Sequence, residues 1–322
     1  DWLGGRRSYA FERLTSPDFL QELPLEESTI AEAFKAHGYA TAHIGKWHLG
    51  EDPFGPLEQG FDMRVPNWNK GWPNAGYYAP FELDGVEDEP GQYLTDRLTD
   101  YAKDFISENQ GQPFFLYMSH FAVHDPIHGR PDLVEKYRQK LASMDPSNSP
   151  PFLLEGNPDD PQPLTNEQLV SLIDLPPYQD YKVLPERTVK IKQHQDNIEF
   201  AAMVESMDES LGRIVDHIDQ LGLTDNTLIV FFSDNGGMSG ANFGGAGRVV
   251  DSSRLDSAYS TSNLPLRGAK GWLYEGGIRV PMIVKWPEKF SDSSRIVEEP
   301  VISTDFYPSL LEMAGLPARD EQ

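Results

Sequence analysis

Apolar residues recur at helical spacing in four segments of this chain. The predicted helices cover residues 24–37, 94–106, 200–221 and 304–314. In the third, the clearest of the four, apolar residues step by four and three while the other face carries charges. The first helix opens on the capping-box pattern of Thr29 and Glu32, and Gly38 ends it.

Short uncharged runs between these helices predict strands. They cover residues 39–44, 114–118, 227–232 and 278–284. The run at 227–232 has no charge and four consecutive β-branched or aromatic residues, which is typical of a strand buried on both faces in a parallel sheet. Because helices and strands alternate, the sequence predicts an α/β fold in which a mostly parallel central sheet has helices on both faces.

Two regions lack this periodicity. Residues 51–91 are rich in Pro, Gly, Trp and Tyr, and we interpret them as a long structured loop over one face. Residues 141–195 shift to Pro, Asp and Ser, which indicates an insertion or lid rather than a second domain. We therefore expect residues 1–322 to form one α/β catalytic domain, in part, with two irregular regions.

The charge balance limits the partners of the protein. The chain has 322 residues, with 27 Lys and Arg against 51 Asp and Glu, which gives a formal net charge of −24. That charge argues against nucleic acid, although it also serves solubility. No apolar run approaches the roughly twenty residues of a membrane span, so we expect no membrane partner. The sequence has no Cys, which excludes disulfides and thiol chemistry within these residues.

Polar side chains follow three of the predicted strands. Lys46 and His48 come after the first, His124 after the second, and Asp234 with Asn235 after the third. Because parallel strands end at one edge of a sheet, we expect these residues to converge in one crevice. Asp234 and Asn235 offer hard oxygen atoms that suit calcium or magnesium, although Asp-Asn-Gly after a strand is more often simply a turn.

Four ordered motifs resemble those of the type I sulfatases, a family within the alkaline phosphatase superfamily. The motifs are GYATAHIGKWHLG at 38–50, AVHDP at 122–126, SDNG at 233–236, and LRGAKG at 266–271 followed by YEGG at 274–277. They cover nearly the whole chain in the order of the family. The resemblance implies the α/β fold of that superfamily and the hydrolysis of sulfate esters.

The resemblance also implies roles for individual residues. The catalytic residues would be His124, His48 and Lys46, the substrate-binding residues Lys46, His124 and Lys270, and the metal ligands Asp234 and Asn235. The lysines would contact sulfate oxygens, and His124 would be the acid toward the leaving oxygen. His48 would hydrogen-bond the nucleophile or help to release the product. The implied metal is calcium, with magnesium the less favoured ion.

Each of these assignments has a plainer alternative. An isolated lysine is usually solvated, and either histidine can instead belong to the core. The glycines beside Lys46 and Lys270 favour a site, because glycine lets backbone and ligand approach closely. His120, His128 and Arg267 are further substrate-pocket candidates, with loop packing as the alternative.

One family feature is missing from the sequence. The nucleophile of these enzymes is a formylglycine made from Cys or Ser within Cys/Ser-x-Pro/Ala-x-Arg, and Ser8–Glu12 is the nearest match but lacks the Arg. We therefore expect the nucleophile, the first strand and two Asp ligands upstream of residue 1. We also expect a C-terminal subdomain beyond Gln322. On this view the 322 residues alone bind metal poorly and have no turnover.

Three functional hypotheses remain open from the sequence. The favoured one is a sulfatase acting on a small-molecule or saccharide sulfate ester. The second is a phosphate monoester or diester hydrolase of the same superfamily. The third is a catalytically inactive relative that serves as a binding domain. Periplasmic or secreted localisation is implied by the resemblance.

Overall fold

The fold is described from a computed structural model. The description covers residues 20–145, 149–150, 152–156, 162, 164–173, 175, 188–239, 260–290 and 295–317. The helices are α1 (Ile30–Ala36), α2 (Leu94–Glu108), α3 (Pro131–Ala142), α4 (Asn166–Ile173), α5 (Ile198–Gln220), α6 (Glu275–Ile278) and α7 (Phe306–Met313). The strands are β1 (Ala40–Gly45), β2 (Met63–Val65), β3 (Phe114–Ser119), β4 (Phe152–Gly156), β5 (Thr188–Lys192), β6 (Ile229–Phe232) and β7 (Met282–Lys285). The sequence motif sought at 8–12 lies outside the described residues.

The chain divides into two compact units. The parallel unit consists of Leu20–His128, Val204–Ile229 and the residues from Lys285 onward. The antiparallel unit consists of the described residues within Gly129–Met203 and Val230–Val284. Of the predicted site residues, Lys46, His48 and His124 belong to the parallel unit, whereas Asp234, Asn235 and Lys270 belong to the antiparallel unit.

A three-stranded sheet forms the centre of the parallel unit. Its order is β2-β1-β3, and both pairings are parallel. The strands predicted at 39–44 and 114–118 are thus confirmed within one residue at each end. Strand β2 lies inside the region predicted as a loop at 51–91. At three residues it is too short to produce a periodic pattern, which explains why the sequence did not indicate it.

Helices α1 and α2 cover opposite faces of this sheet. The ring of Phe34 in α1 stacks on Phe115, with centroids 4.8 Å apart, and the ring of Phe105 in α2 meets Phe114 edge-on at 6.1 Å. Since successive side chains of a strand point to opposite faces, the two helices must lie on different sides. The predicted α/β class, with helices on both faces of a parallel sheet, is confirmed here.

Helix α1 begins where the sequence predicted a cap, although later than the predicted start at 24. Thr29 accepts a hydrogen bond from the backbone of Glu32, and the Glu32 carboxylate accepts one from the backbone of Thr29. This reciprocal pair satisfies two backbone donors that the helix cannot satisfy itself.

Helix α5 is the long amphipathic helix predicted at 200–221. In the parallel unit it is joined to α2 by polar contacts: Thr99 Oγ1 and Ser210 Oγ are 2.5 Å apart, and Arg213 pairs with Asp96 at 3.1 Å and with Asp100. Part of the polar face of α5 therefore packs against α2 and is not fully exposed to solvent.

Strand β6 differs from its predicted environment. The sequence predicted burial on both faces, but the residues of β6 are only half-buried and Phe232 is 39% exposed. Among the described residues, β6 shares a two-stranded sheet with β7. The prediction of burial on both faces was therefore wrong.

The remaining elements of the antiparallel unit refine two predictions. Residues 141–195, predicted as an insertion or lid, contain β4 and β5, which pair antiparallel. The strand predicted at 278–284 starts later, at Met282, because Glu275–Ile278 form the helical turn α6.

None of the described helices has the length and apolar character that crossing a membrane requires.

Candidate active site

One short loop of the parallel unit, which contains Gly71 and Trp72, lies close to Lys46, His48 and His124. The indole of Trp72 stacks on the imidazole of His124, with centroids 5.9 Å apart and an interplanar angle of 20°. The His48 ring meets the same indole at 6.3 Å and 88°. A Cβ placed on Gly71 would lie 2.7 Å from Nδ1 of His48 and 3.3 Å from Cε of Lys46. The structure therefore brings together the three residues predicted as catalytic.

The end of β1 fixes the backbone of Lys46. Its N–H donates to the Ser119 carbonyl at 2.7 Å, and its carbonyl accepts from Ser119 Oγ at 2.6 Å and lies 3.1 Å from Nε2 of His43. Gly45 has φ +115°, and a Cβ there would lie 1.9 Å from the Ser119 carbonyl oxygen. Glycine is needed beside Lys46 because two backbones approach, which differs from the ligand approach expected from the sequence.

His43 is a buried histidine that contacts the backbone carbonyl of Lys46. Loss of hydration lowers its pKa to about 4, although the hydrogen bond to the Lys46 carbonyl opposes that change. Because a carbonyl oxygen only accepts, Nε2 of His43 carries the proton, and Nδ1 is buried with no partner in the part of the chain that the structure describes. The edge of this ring packs against Trp47, with centroids 5.1 Å apart. His43 is therefore a neutral structural group that supports the backbone of Lys46.

His48 has an unusual backbone conformation. Its φ of +62° lies in the left-handed region, which residues with a side chain adopt infrequently. Such a conformation persists only where surrounding contacts hold it, and it concentrates at functional sites. Together with the contacts to Gly71 and Trp72, this favours a functional role for His48 over a place in the core.

His124 is held through its backbone. Its N–H donates to the Phe121 carbonyl at 2.9 Å, and its own carbonyl accepts from the Tyr77 hydroxyl at 3.0 Å. Burial raises the pKa of Tyr77 well above its usual value of 10, so this hydroxyl remains a donor at neutral pH. His124 is half-buried and its ring stacks on that of Trp72, a residue that is 40% exposed. A half-buried imidazole with a fixed backbone is suited to transferring a proton to a bound group.

The second group of predicted residues lies in the antiparallel unit. The N–H of Lys270 donates to the Gly237 carbonyl at 3.1 Å, which links the segment after β6 to the LRGAKG segment. The side chain of Asn263 pairs with Gly237 in both directions, accepting from its N–H at 3.2 Å and donating to its carbonyl at 2.8 Å. These bonds place Asn235 and Lys270 on adjoining segments.

Glycines allow three backbone segments to pack together there. A Cβ on Gly236 would lie 1.8 Å from the Gly276 carbonyl oxygen, and one on Gly277 would lie 2.1 Å from the Trp272 carbonyl oxygen. The Gly236 N–H also donates to the Gly277 carbonyl at 2.9 Å. The glycines of the SDNG and YEGG motifs thus have a steric explanation in the packing of the backbone.

Asp234 and Asn235 can hold part of a metal site. Asp234 is exposed and Asn235 half-buried, directly after β6, and their oxygens suit a hard cation such as calcium. Calcium takes six to eight oxygens, however. The described residues contain no group of three or more His, Cys, Asp or Glu side chains that could hold a metal. The donor chemistry fits, but these two residues do not make a complete site.

The convergence of five residues in one crevice stays a prediction; they are Lys46, His48, His124, Asp234 and Asn235. The structure establishes two local groups, one around Trp72 in the parallel unit and one around Gly237 in the antiparallel unit.

The three secondary candidates have packing contacts. His120 is half-buried and hydrogen-bonded to Ser210 Oγ at 3.2 Å, and loss of hydration lowers its pKa to about 4. Arg267 pairs with Glu155 at 3.1 Å and lies 4.1 Å from the ring centroid of Tyr274. These contacts favour the alternative of packing. His128 is exposed, and its carbonyl accepts a hydrogen bond from the Tyr93 hydroxyl at 2.8 Å.

Sequence reasoning missed several residues that build these groups. They are Gly71, Trp72, Tyr77, Ser119 and Asn263. The segment NWNKGW at 67–72 carried a signal, because glycine between a lysine and a tryptophan in an aromatic loop indicates a close approach. Tyr77, Ser119 and Asn263 act through bonds to distant backbone groups, for which local sequence has no pattern.

Comparison with known proteins identifies the family. The sulfatase family model matches residues 3–316. This chain belongs to the sulfatase family. The steryl-sulfatase of Mus musculus is 26% identical over 377 residues, covering 91% of this chain and 48% of that protein. The ulvan-active sulfatase of Formosa agariphila is 26% identical over 326 residues, covering 95% of this chain and 50% of that protein. The resemblance found in the sequence motifs is confirmed.

Solved structures support the same fold. The crystal structure of Ps i-CgsB in complex with k-i-k-neocarrahexaose has a TM-score of 0.61 and 24% identity, and the match covers 93% of this chain and 56% of that one. At this identity the likeness shows the sulfatase fold alone. The chain spans about half or less of the length of the curated relatives it matches.

Proposed function

We propose that the full-length protein hydrolyses sulfate esters of saccharides. Membership of the sulfatase family supports the reaction class. The ulvan-active relative supports a saccharide substrate. The observation that carries the proposal is the grouping of Lys46, His48 and His124 around Trp72.

In our proposal this group supplies the positive charge and the proton donor that the departure of an alcohol from sulfate requires. The overall reaction consumes water and yields an alcohol and inorganic sulfate. In our proposal the ammonium of Lys46 binds a sulfate oxygen and offsets its negative charge. His124 donates a proton to the ester oxygen as the S–O bond breaks, so that the alcohol leaves neutral. His48, whose ring meets the same indole at 6.3 Å, hydrogen-bonds the attacking group or the departing product in our proposal.

The proposal includes groups from the rest of the site. Lys270 would bind a second sulfate oxygen. Asp234 and Asn235 would be two of the ligands of a calcium ion, whose positive charge would offset the negative charge of the sulfate. A formylglycine, expected outside these 322 residues, would supply the attacking oxygen. By the same resemblance we propose that the protein is exported, which cell fractionation with an antibody to the full-length protein would test.

The test measures release of sulfate and phosphate by the full-length protein from matched saccharide esters. We expect sulfate release to exceed phosphate release at least 100-fold in kcat/KM. We expect Lys46→Gln to lower sulfate release at least 100-fold, whereas the control Lys140→Gln, at an exposed lysine of α3, changes it less than twofold. A preference for phosphate would support the phosphoesterase alternative. No release of either anion would support the inactive binding domain.

A further inference from the structure

Trp72 is placed to bind part of a substrate as well as to pack. The residue is 40% exposed although its ring contacts both His124 and His48. An indole has a large apolar face, and aromatic side chains commonly line the sites that bind small molecules. A partly exposed tryptophan is therefore in ring contact with the histidine that would protonate the leaving oxygen.

Hydrogen bonds order the loop that contains Trp72. The Trp72 carbonyl accepts a hydrogen bond from Nε1 of Trp68 at 3.0 Å, and Oδ1 of Asn69 accepts one from the Gly50 N–H at 3.0 Å. Asn67 donates to Asp84 twice, from its backbone at 2.8 Å and its side chain at 3.1 Å. A surface ring that is fixed in advance loses little conformational freedom when a ligand stacks on it.

A positive charge lies two residues before this ring. Lys70 is exposed, and its ammonium is 5.2 Å from the ring centroid of Trp68. Two residues of extended chain span at most about 7 Å, which is the scale of one sugar ring. In a chain with a net charge of −24, this lysine offers an anionic substituent a local attraction that the surrounding surface does not.

We propose that Trp72 and Lys70 form a subsite for the leaving group, in which Trp72 stacks on the sugar that bears the ester and Lys70 binds a second anionic group on that sugar. The inference rests on the proposed function and deepens it. A pyranose ring presents an apolar C–H face that suits an indole. Because His124 contacts both the indole and, in the proposed reaction, the ester oxygen, the moiety nearest Trp72 is the sugar attached to that oxygen. The subsite therefore favours saccharides with more than one anionic group.

The experiment measures kcat/KM of the full-length protein on three sulfate esters: a glucosamine disulfate, a glucosamine monosulfate, and ethyl sulfate, which has no ring. We expect Trp72→Ala to lower the ratio of monosulfate to ethyl sulfate at least 10-fold, and Trp72→Phe to restore most of that ratio. We expect Lys70→Gln to lower the ratio of disulfate to monosulfate at least fivefold. The matched control is Lys289→Gln, because Lys289 also lies over a tryptophan, 5.6 Å from the ring centroid of Trp286, and we expect both ratios to stay unchanged.

Equal losses on all three esters would overturn the subsite, because Trp72 would then only hold His48 and His124 in place. Calorimetric binding of the glucosamine disulfate separates this outcome from failure of the proposed function. If no ester is hydrolysed but the disulfate binds and Trp72→Ala weakens that binding at least 10-fold, the subsite stands and the hydrolase proposal falls. If the disulfate binds equally to both proteins, or to neither, the subsite is wrong.

Discussion

Acid should destabilise this protein through a histidine behind the candidate active site. His43 is completely buried, and its pKa is about 4 against 6.5 for an ordinary histidine. In the unfolded chain the same imidazole becomes protonated as the pH falls through 6.5. The folded state resists protonation because burial removes water from the ring, and among the described residues Nδ1 has no acceptor for a new N–H. The contribution to stability is therefore present above pH 6.5 and is lost as the pH falls toward 4.

The size of this loss follows from the two pKa values. At about 1.4 kcal/mol per pKa unit, a decrease from 6.5 to about 4 corresponds to about 3 kcal/mol once both states are protonated. At pH 4.5 most of that loss, about 2 to 3 kcal/mol, has already occurred. This is a large fraction of the total stability of a typical domain, which is about 5 to 15 kcal/mol.

The assay is urea unfolding of the full-length protein at pH 7 and pH 4.5, comparing the wild type with His43→Gln. Glutamine keeps a donor near Nε2 and does not titrate, so the variant should lose about 2 to 3 kcal/mol less than the wild type between the two pH values. The control is His37→Gln, at an exposed histidine at the end of α1, which should change nothing. If wild type and His43→Gln lost the same stability between pH 7 and 4.5, the assignment of His43 as a buried neutral imidazole would be refuted.

Three other substitutions test particular contacts. Gly45→Ala should destabilise the protein by at least about 3 kcal/mol, because its Cβ would lie 1.9 Å from a carbonyl oxygen. The control Gly38→Ala, where φ is +83° and the space is open, should cost about 1 kcal/mol. Melting temperatures measure both costs, and equal costs would refute the steric argument. Gly71→Ala should lower kcat/KM at least 10-fold with little change in melting temperature, because the added methyl displaces His48; wild-type kinetics would contradict this contact. Tyr77→Phe should cost about 1 to 2 kcal/mol and lower kcat, since it leaves a carbonyl oxygen without its donor; an unchanged melting temperature would show that the bond is unimportant.

The sequence predicted those parts of the fold that depend on local patterns. The capping box at Thr29, the amphipathic helix α5 and the strands β1 and β3 each have a periodic or capping signal within a few residues. The order of these elements was then sufficient to predict a parallel sheet with a helix on each face. The grouping of Lys46 with His124 followed from the rule that parallel strands end at one edge.

Other features depend on contacts that a local pattern does not contain. The burial of β6 depends on which parts of the chain pack on its faces, so an apolar run could not reveal that Phe232 is exposed. The close approach of Gly45 to Ser119 joins residues 74 positions apart. Trp72 was visible only as part of an aromatic loop, and its position between two histidines required coordinates.

The central claim is that His124 protonates the leaving oxygen of a sulfate ester, and its most direct test is the dependence of rate on the leaving group. We would compare kcat/KM of full-length wild type and His124→Ala on a nitrophenyl sulfate and on a saccharide sulfate. A nitrophenolate leaves without a proton, whereas a sugar alkoxide needs one. We predict that the variant loses at least 100-fold more activity on the saccharide ester than on the nitrophenyl ester. Equal losses on both esters, or wild-type activity on the saccharide ester, would contradict the account.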